Sequence, residues 1–214
     1  MKPRILWTAV FAAVFSFGCA PEELPSETLA PTPAVADFAG FPVSICNSLM
    51  RFYWQDDEQD LSRVCEVANA AEEACSRLCL DDQLQTFLAI IHRESYFRQD
   101  AQGKPGEDSR GVAQVRRIYE KKLRRAWRHL GIRLGPASEI RTQVFLGAMV
   151  YRDKLASAGG DVRKAVRSYN GSTRLKVTAL YADRVFASRA RIFRSPYEPG
   201  ERSELWRACL EVGK

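Results

Sequence analysis

The sequence predicts an all-α fold, and three observations carry that expectation. From residue 44 onward, apolar residues recur at helical spacing and no stretch alternates convincingly as a strand would. Glycine and proline fall mostly between these periodic segments. Composition is that of a globular chain: of 214 residues, 46% are apolar and 27% charged. This is one domain, or one domain with a tail, and it argues against a disordered, collagen-like or coiled-coil protein. Only one run approaches the apolarity a membrane requires, and it lies at the N-terminus, which excludes a polytopic membrane protein.

Residues 1–19 read as a signal peptide. Met1-Lys2-Pro3-Arg4 is a short basic region, and the apolar run Ile5 to Phe17 has the length of a secretory core. Gly18-Cys19-Ala20 suits cleavage by a signal peptidase, but Pro21 would follow the cut. Ser16-Phe17-Gly18-Cys19 instead resembles a lipoprotein box, which makes Cys19 a candidate for lipidation. A buried first helix of the mature domain is the plain alternative. The expected location is outside the cytoplasm: periplasmic, as a bacterial outer-membrane lipoprotein held through the lipid on Cys19. Residues 20–42 hold five prolines with acidic and small residues, a composition that buries too little surface to fold. They read as a disordered linker.

Residues 43–80 form an expected N-terminal helical segment, with two short helices over 46–79 and Asp56-Asp57-Glu58 in the turn. The cysteines are Cys19, Cys46, Cys65, Cys75, Cys79 and Cys209. Export permits disulfides. A bond from Cys65 to Cys75 or Cys79 is the preferred pairing, with buried free thiols the alternative. Neither His92 nor His129 has ligand spacing to these cysteines, so no metal site is expected.

The main unit spans residues 81–195. Asp81 or Asp82 can cap its first helix. Leu84, Phe87, Leu88 and Ile91 then repeat at i, i+3, i+4, i+7, and Glu94 falls on the same stripe at the helix C-terminus. Burial and the negative end of the helix dipole both disfavour a carboxylate there, so its pKa should rise. A raised carboxyl pKa is what a general acid needs. A structural ion pair with Arg93 or Arg98 would explain the residue equally simply. A polar loop follows from Gln99 to Arg110. Gly111-Val112-Ala113-Gln114 opens the next helix, whose inward face is Tyr119, Leu123, Ala126, Trp127 and Leu130. A helix over about 138–158 turns Ile140, Val144, Ala148, Tyr151 and Leu155 inward, and Gly147-Ala148 allows a close crossing. Asp161 caps a short helix ending at Asn170-Gly171. A last helix directs Tyr181, Val185, Ser188 and Ile192 inward, so the Tyr181 hydroxyl needs a partner. Residues 196–214 remain as a C-terminal tail.

Charge is unevenly distributed. Net charge is +6 overall, but −10 over residues 20–82 and +14 over 83–214. Residues 110–133 alone hold nine Lys/Arg against Glu120. Such a stretch is either a solvated face or a surface for an anionic partner. Nucleic acid is not expected to be that partner for an exported chain.

Four strings stand in order: Glu94-Ser95-Tyr96-Phe97, Gly111-Val112-Ala113-Gln114, Ala165 to Gly171 with Tyr169-Asn170, and Thr178-Ala179-Leu180-Tyr181 followed by Val185. Together they resemble the soluble-type lytic transglycosylases of glycoside hydrolase family 23, over about residues 80–195. The resemblance implies a lysozyme-like helical SLT domain that cleaves the β-1,4 bond between N-acetylmuramic acid and N-acetylglucosamine in peptidoglycan glycan strands. It implies Glu94 as catalytic acid and then base. Ser95 would support Glu94 and the sugar N-acetyl group. Gln114, Tyr169 and Asn170 would line the cleft, and Tyr181 would hold the catalytic carboxyl. No cofactor is implied.

Most glycosidases use two carboxylates, and no second acid stands in a matching motif. The expected route therefore closes a 1,6-anhydro ring on the muramic acid without consuming water. Asp100, Glu107 or Asp108 could instead activate water, giving a hydrolytic lysozyme. A non-catalytic envelope protein that binds glycan is the third reading. A secretion or envelope machine is a further conceivable partner, which no motif identifies.

Overall fold

The computed structural model describes residues 43–53, 60–129, 132–195, 198 and 200–203. The proposed signal peptide with Cys19, the linker, the Asp56-Asp57-Glu58 turn and Cys209 lie outside the described residues. The described chain is mainly helical, with seven α-helices in the order α1 (Val43–Tyr53), α2 (Leu61–Arg77), α3 (Leu84–Ser95), α4 (Arg117–His129), α5 (Ile140–Ser157), α6 (Val162–Tyr169) and α7 (Leu175–Phe193). Among the described residues no helix is long and apolar enough to cross a membrane.

Helix α5 is the centre of the fold. It packs on α2 and α6 and is buried on most of its circumference, from Ile140 through Thr142–Met149 to Tyr151 and Leu155. A helix with apolar residues on most sides belongs in the interior. Helix α3 lies against α7, and α1 spans α2 and α7. One core thus unites the N-terminal helical segment with the main unit, from Leu49 and Val64 to Val185 and Ile192.

Local chemistry explains the boundaries. Asp60 caps α2 by accepting from the Arg63 N–H, and Asp161 caps α6 by accepting from the Lys164 N–H at 2.9 Å. Gly159 and Gly160 take left-handed backbone after α5, and Gly171 does so after α6. The entry to α3 differs from expectation. A 3₁₀ turn, Asp81–Gln83, precedes it, and no side chain caps the helix. Asp82 is engaged elsewhere: it accepts from the Ser203 hydroxyl at 3.1 Å.

Three other expectations are corrected. Gly111–Gln114 do not open a helix. They form the turn of a small antiparallel hairpin, β1 (Ser109–Arg110) and β2 (Val115–Arg116), with Ser109 opposite Arg116. Strands of two residues are too short to show alternation. Tyr119 is not inward: it lies in the first turn of α4 and is half exposed. Cys65 pairs with Cys46, joining α1 to α2, and Cys75 is a buried free thiol. Cys79 is also disulfide-bonded.

The start of the tail is part of the domain. The Arg189 guanidinium donates to both carboxylate oxygens of Glu201, at 2.8 and 3.0 Å, and to the Thr86 hydroxyl at 3.0 Å. Backbone bonds from the Val162 N–H to Glu201 and from the Ser203 N–H to Gly160 complete the docking.

Candidate active site

Glu94 stands in the last turn of α3 and is partly buried. The chain then turns abruptly. Tyr96 and Phe97 both take left-handed backbone, at φ 54° and 62°. Non-glycine residues disfavour that region, and such outliers persist where surrounding packing fixes them. The fixing here is visible. The Tyr96 N–H donates to the His92 carbonyl at 3.0 Å, and the Phe97 ring is wholly buried. His92 in turn is held by the Tyr53 hydroxyl of α1.

The Tyr181 hydroxyl of α7 donates to the Glu94 carboxyl at 2.5 Å. Burial is the main influence on this carboxyl and raises its pKa. The Glu107 charge pushes the same way, while the Tyr181 hydrogen bond and the Arg93 charge oppose it. Tyr169 lies near enough for its own phenol to be raised, first by burial and then by the Glu94 charge. Its hydroxyl donates to the Ala113 carbonyl at 2.9 Å. Glu94, Tyr169 and Tyr181 therefore come together from three helices. Asn170 follows Tyr169 at the exposed end of α6.

Two residues expected to meet the sugar are spent internally. Ser95 is buried, and its hydroxyl donates to the Val112 carbonyl at 2.7 Å and the Ile91 carbonyl at 3.3 Å. It ties α3 to the hairpin rather than supporting Glu94. Gln114, at φ 48°, donates from Nε2 to the carbonyls of Ala101 and Gly111 at 3.0 and 2.9 Å. Its Oε1 accepts from the Ser109 hydroxyl. It braces the hairpin turn beside the site and keeps only a partly exposed surface.

Two other residues position the hairpin. Gln143 of α5 accepts from the Val112 N–H at 2.9 Å and donates to the Ala137 carbonyl at 3.1 Å. A Cβ on Gly111 would strike the Gln143 side chain, and Gly111 is left-handed at φ 75°. Gly147 does the same work on the next turn. A Cβ there would collide with the Ala113 Cβ and come within 3.3 Å of the Tyr169 hydroxyl. A polar residue, beside Thr142, within an otherwise apolar stretch of α5 was the available signal for Gln143.

Of the three loop acids, Asp108 is ion-paired with Arg116 at 2.9 Å, whereas Glu107 is the one whose charge reaches Glu94. Among the described residues no group of three His, Cys, Asp or Glu side chains converges as a metal site. Comparisons with protein families, curated proteins and solved structures find no match for this chain.

Proposed function

We propose that this chain is a peptidoglycan lytic transglycosylase on a lysozyme-like helical fold, exported and anchored through Cys19. The observation that carries the reading is a single carboxyl, Glu94, raised in pKa by burial and held by the Tyr181 hydroxyl. Such a group is protonated at higher pH than a free carboxyl and can donate to a glycosidic oxygen.

The chemistry follows in two steps. Glu94 gives its proton to the leaving oxygen as the glycosidic bond breaks. The sugar's own N-acetyl carbonyl supports the positive charge that develops at the anomeric carbon. The Glu94 carboxylate then takes the proton of the sugar's 6-hydroxyl, which attacks that carbon and closes the 1,6-anhydro ring. Glu94 ends protonated, ready for the next bond. Tyr181 serves the charged interval, because its hydrogen bond favours the carboxylate.

The full-length chain incubated with isolated peptidoglycan tests this by mass spectrometry of the soluble products. Anhydro products, lighter by one water than hydrolytic ones, are expected. Glu94→Gln should lower their rate by at least about 10²-fold. No product from either chain, with Glu94→Gln binding glycan and functioning as well as the parent, would instead support a non-catalytic glycan-binding protein. The hydrolytic reading has one observation in its favour, the nearness of the Glu107 charge. It requires full-mass reducing products that vanish in Glu107→Gln.

A further inference from the structure

Helix α4 carries cations that the fold does not use. Its acid, Glu120, points inward and is shared by Arg110 and Arg124, at 2.8 and 2.9 Å. Asp108 is occupied by Arg116. The outer face is different. Arg117, Lys121 and Arg125 are exposed and have no ion pair among the described residues. They stand at i, i+4 and i+8, so they lie along one inclined ridge that rises about 12 Å along the helix.

A solvated helix face usually mixes signs, because like charges at i, i+4 repel. Among the described residues no acid relieves this row. Its position adds a second observation. Arg117 follows β2 directly, and its N–H donates to the Asp108 carbonyl at 3.2 Å. The row therefore begins next to the hairpin whose turn contacts Ser95 and Tyr169.

We infer that this row is a docking rail for the carboxylate-bearing peptide stems of the glycan strand whose sugars sit at Glu94. The inference rests on the glycan reading of that site. The matching chemistry is a polymer that presents carboxylates at intervals beside a sugar backbone. Three cations in line would take such groups one after another, each contact being weak and screened by salt. The rail would thus add affinity and direction to strand binding, while Glu94 retains the chemistry.

The test uses full-length chains carrying Glu94→Gln, so that binding is read without cleavage. Cosedimentation is measured on peptidoglycan with its stems and on glycan strands stripped of them. The companion chain adds Arg117→Gln, Lys121→Gln and Arg125→Gln. Glutamine is nearly as good a helix former as lysine or arginine, and the three positions are exposed, so the helix should be kept. Circular dichroism and the melting temperature check this. The expected result is an affinity about tenfold lower for stem-bearing material and unchanged for stripped strands, with a shallower salt dependence.

Equal binding of the two chains to stem-bearing peptidoglycan would overturn the rail. So would an equal loss on both substrates, or a loss seen only with vesicles containing anionic lipid. If the triple variant melts early, the salt titration of the parent chain decides alone. Binding to stem-bearing material that is insensitive to salt rejects the proposal. Failure of the glycan reading has its own signature: neither substrate binds, and the chain without Glu94→Gln releases no product.

Discussion

At Glu94, burial and a hydrogen bond act in opposite directions on one proton. Burial raises the carboxyl pKa, and the Tyr181 hydroxyl draws it back by favouring the charged form. Removing that hydroxyl with Tyr181→Phe should raise the Glu94 pKa further. As the proposed general acid, Glu94 must be protonated, so activity is expected to fall as pH rises through this pKa. The alkaline limb of the rate profile is therefore expected to move to higher pH in Tyr181→Phe. The plateau should drop about tenfold as the carboxyl loses its anchor. A downward move of that limb would contradict the arrangement. The position of Glu94 was legible in the sequence, because an acid on a stripe of Phe87, Leu88 and Ile91 breaks the pattern. The need of Tyr181 for a partner was legible for the same reason. The direction of Ser95 was not. A serine hydroxyl can turn to substrate or to a carbonyl, and only the approach of Val112 decides it.

Among elements, the contact between α5 and the hairpin is the tightest constraint near the site. Gly147 leaves room for Ala113 and for the Tyr169 hydroxyl, so Gly147→Ala should push the hairpin away from α5. Overpacking of this kind destabilises by about 1–3 kcal/mol. Denaturant midpoints should show that loss, and activity should fall by more than stability at assay temperature explains. The small pair Gly147-Ala148 signalled a close approach, but spacing alone suggested a crossing helix. The nearest neighbour of Gly147 is the hairpin turn at Ala113, with Tyr169 of α6 and Phe87 of α3 next. Long helices were legible because a 3.6-residue period repeats several times along them. A hairpin of two-residue strands has no period to read. The start of α3 was misread for a related reason: an acid before a helix suggests a cap, yet Asp82 answers Ser203, 121 positions away in the chain.

The whole molecule is closed by groups far apart in sequence. Arg189 and Glu201 are both largely buried and join α7 to the start of the tail. Arg189→Leu would strand the Glu201 carboxylate, and removing one partner of a buried pair costs about 3 kcal/mol or more. Urea unfolding should report that loss, together with faster proteolysis after residue 195. Stability should also depend on acid. Burial, with the Arg93 and Arg191 charges, pushes His92 down from 6.5 to about 4. The folded chain thus binds this proton less readily than the unfolded one. Its contribution is fully present above pH 6.5 and is lost as pH falls toward about 4. Proton NMR of the imidazole can follow this, since the chain has only two histidines. A His92 signal titrating near 6.5 in the folded protein would refute it. None of these long-range partnerships could be read along the chain, because nothing in the local pattern around Arg189 or His92 names a partner. Tyr96 and Phe97 give the closing consequence. Their left-handed backbone is unfavourable, and the fold meets that strain once, when the chain first assembles. The Glu94 carboxyl is then already in place before any ligand arrives. In the proposed reaction one difficult arrangement, made at folding, would serve every turnover, and no single turnover would have to wait for it.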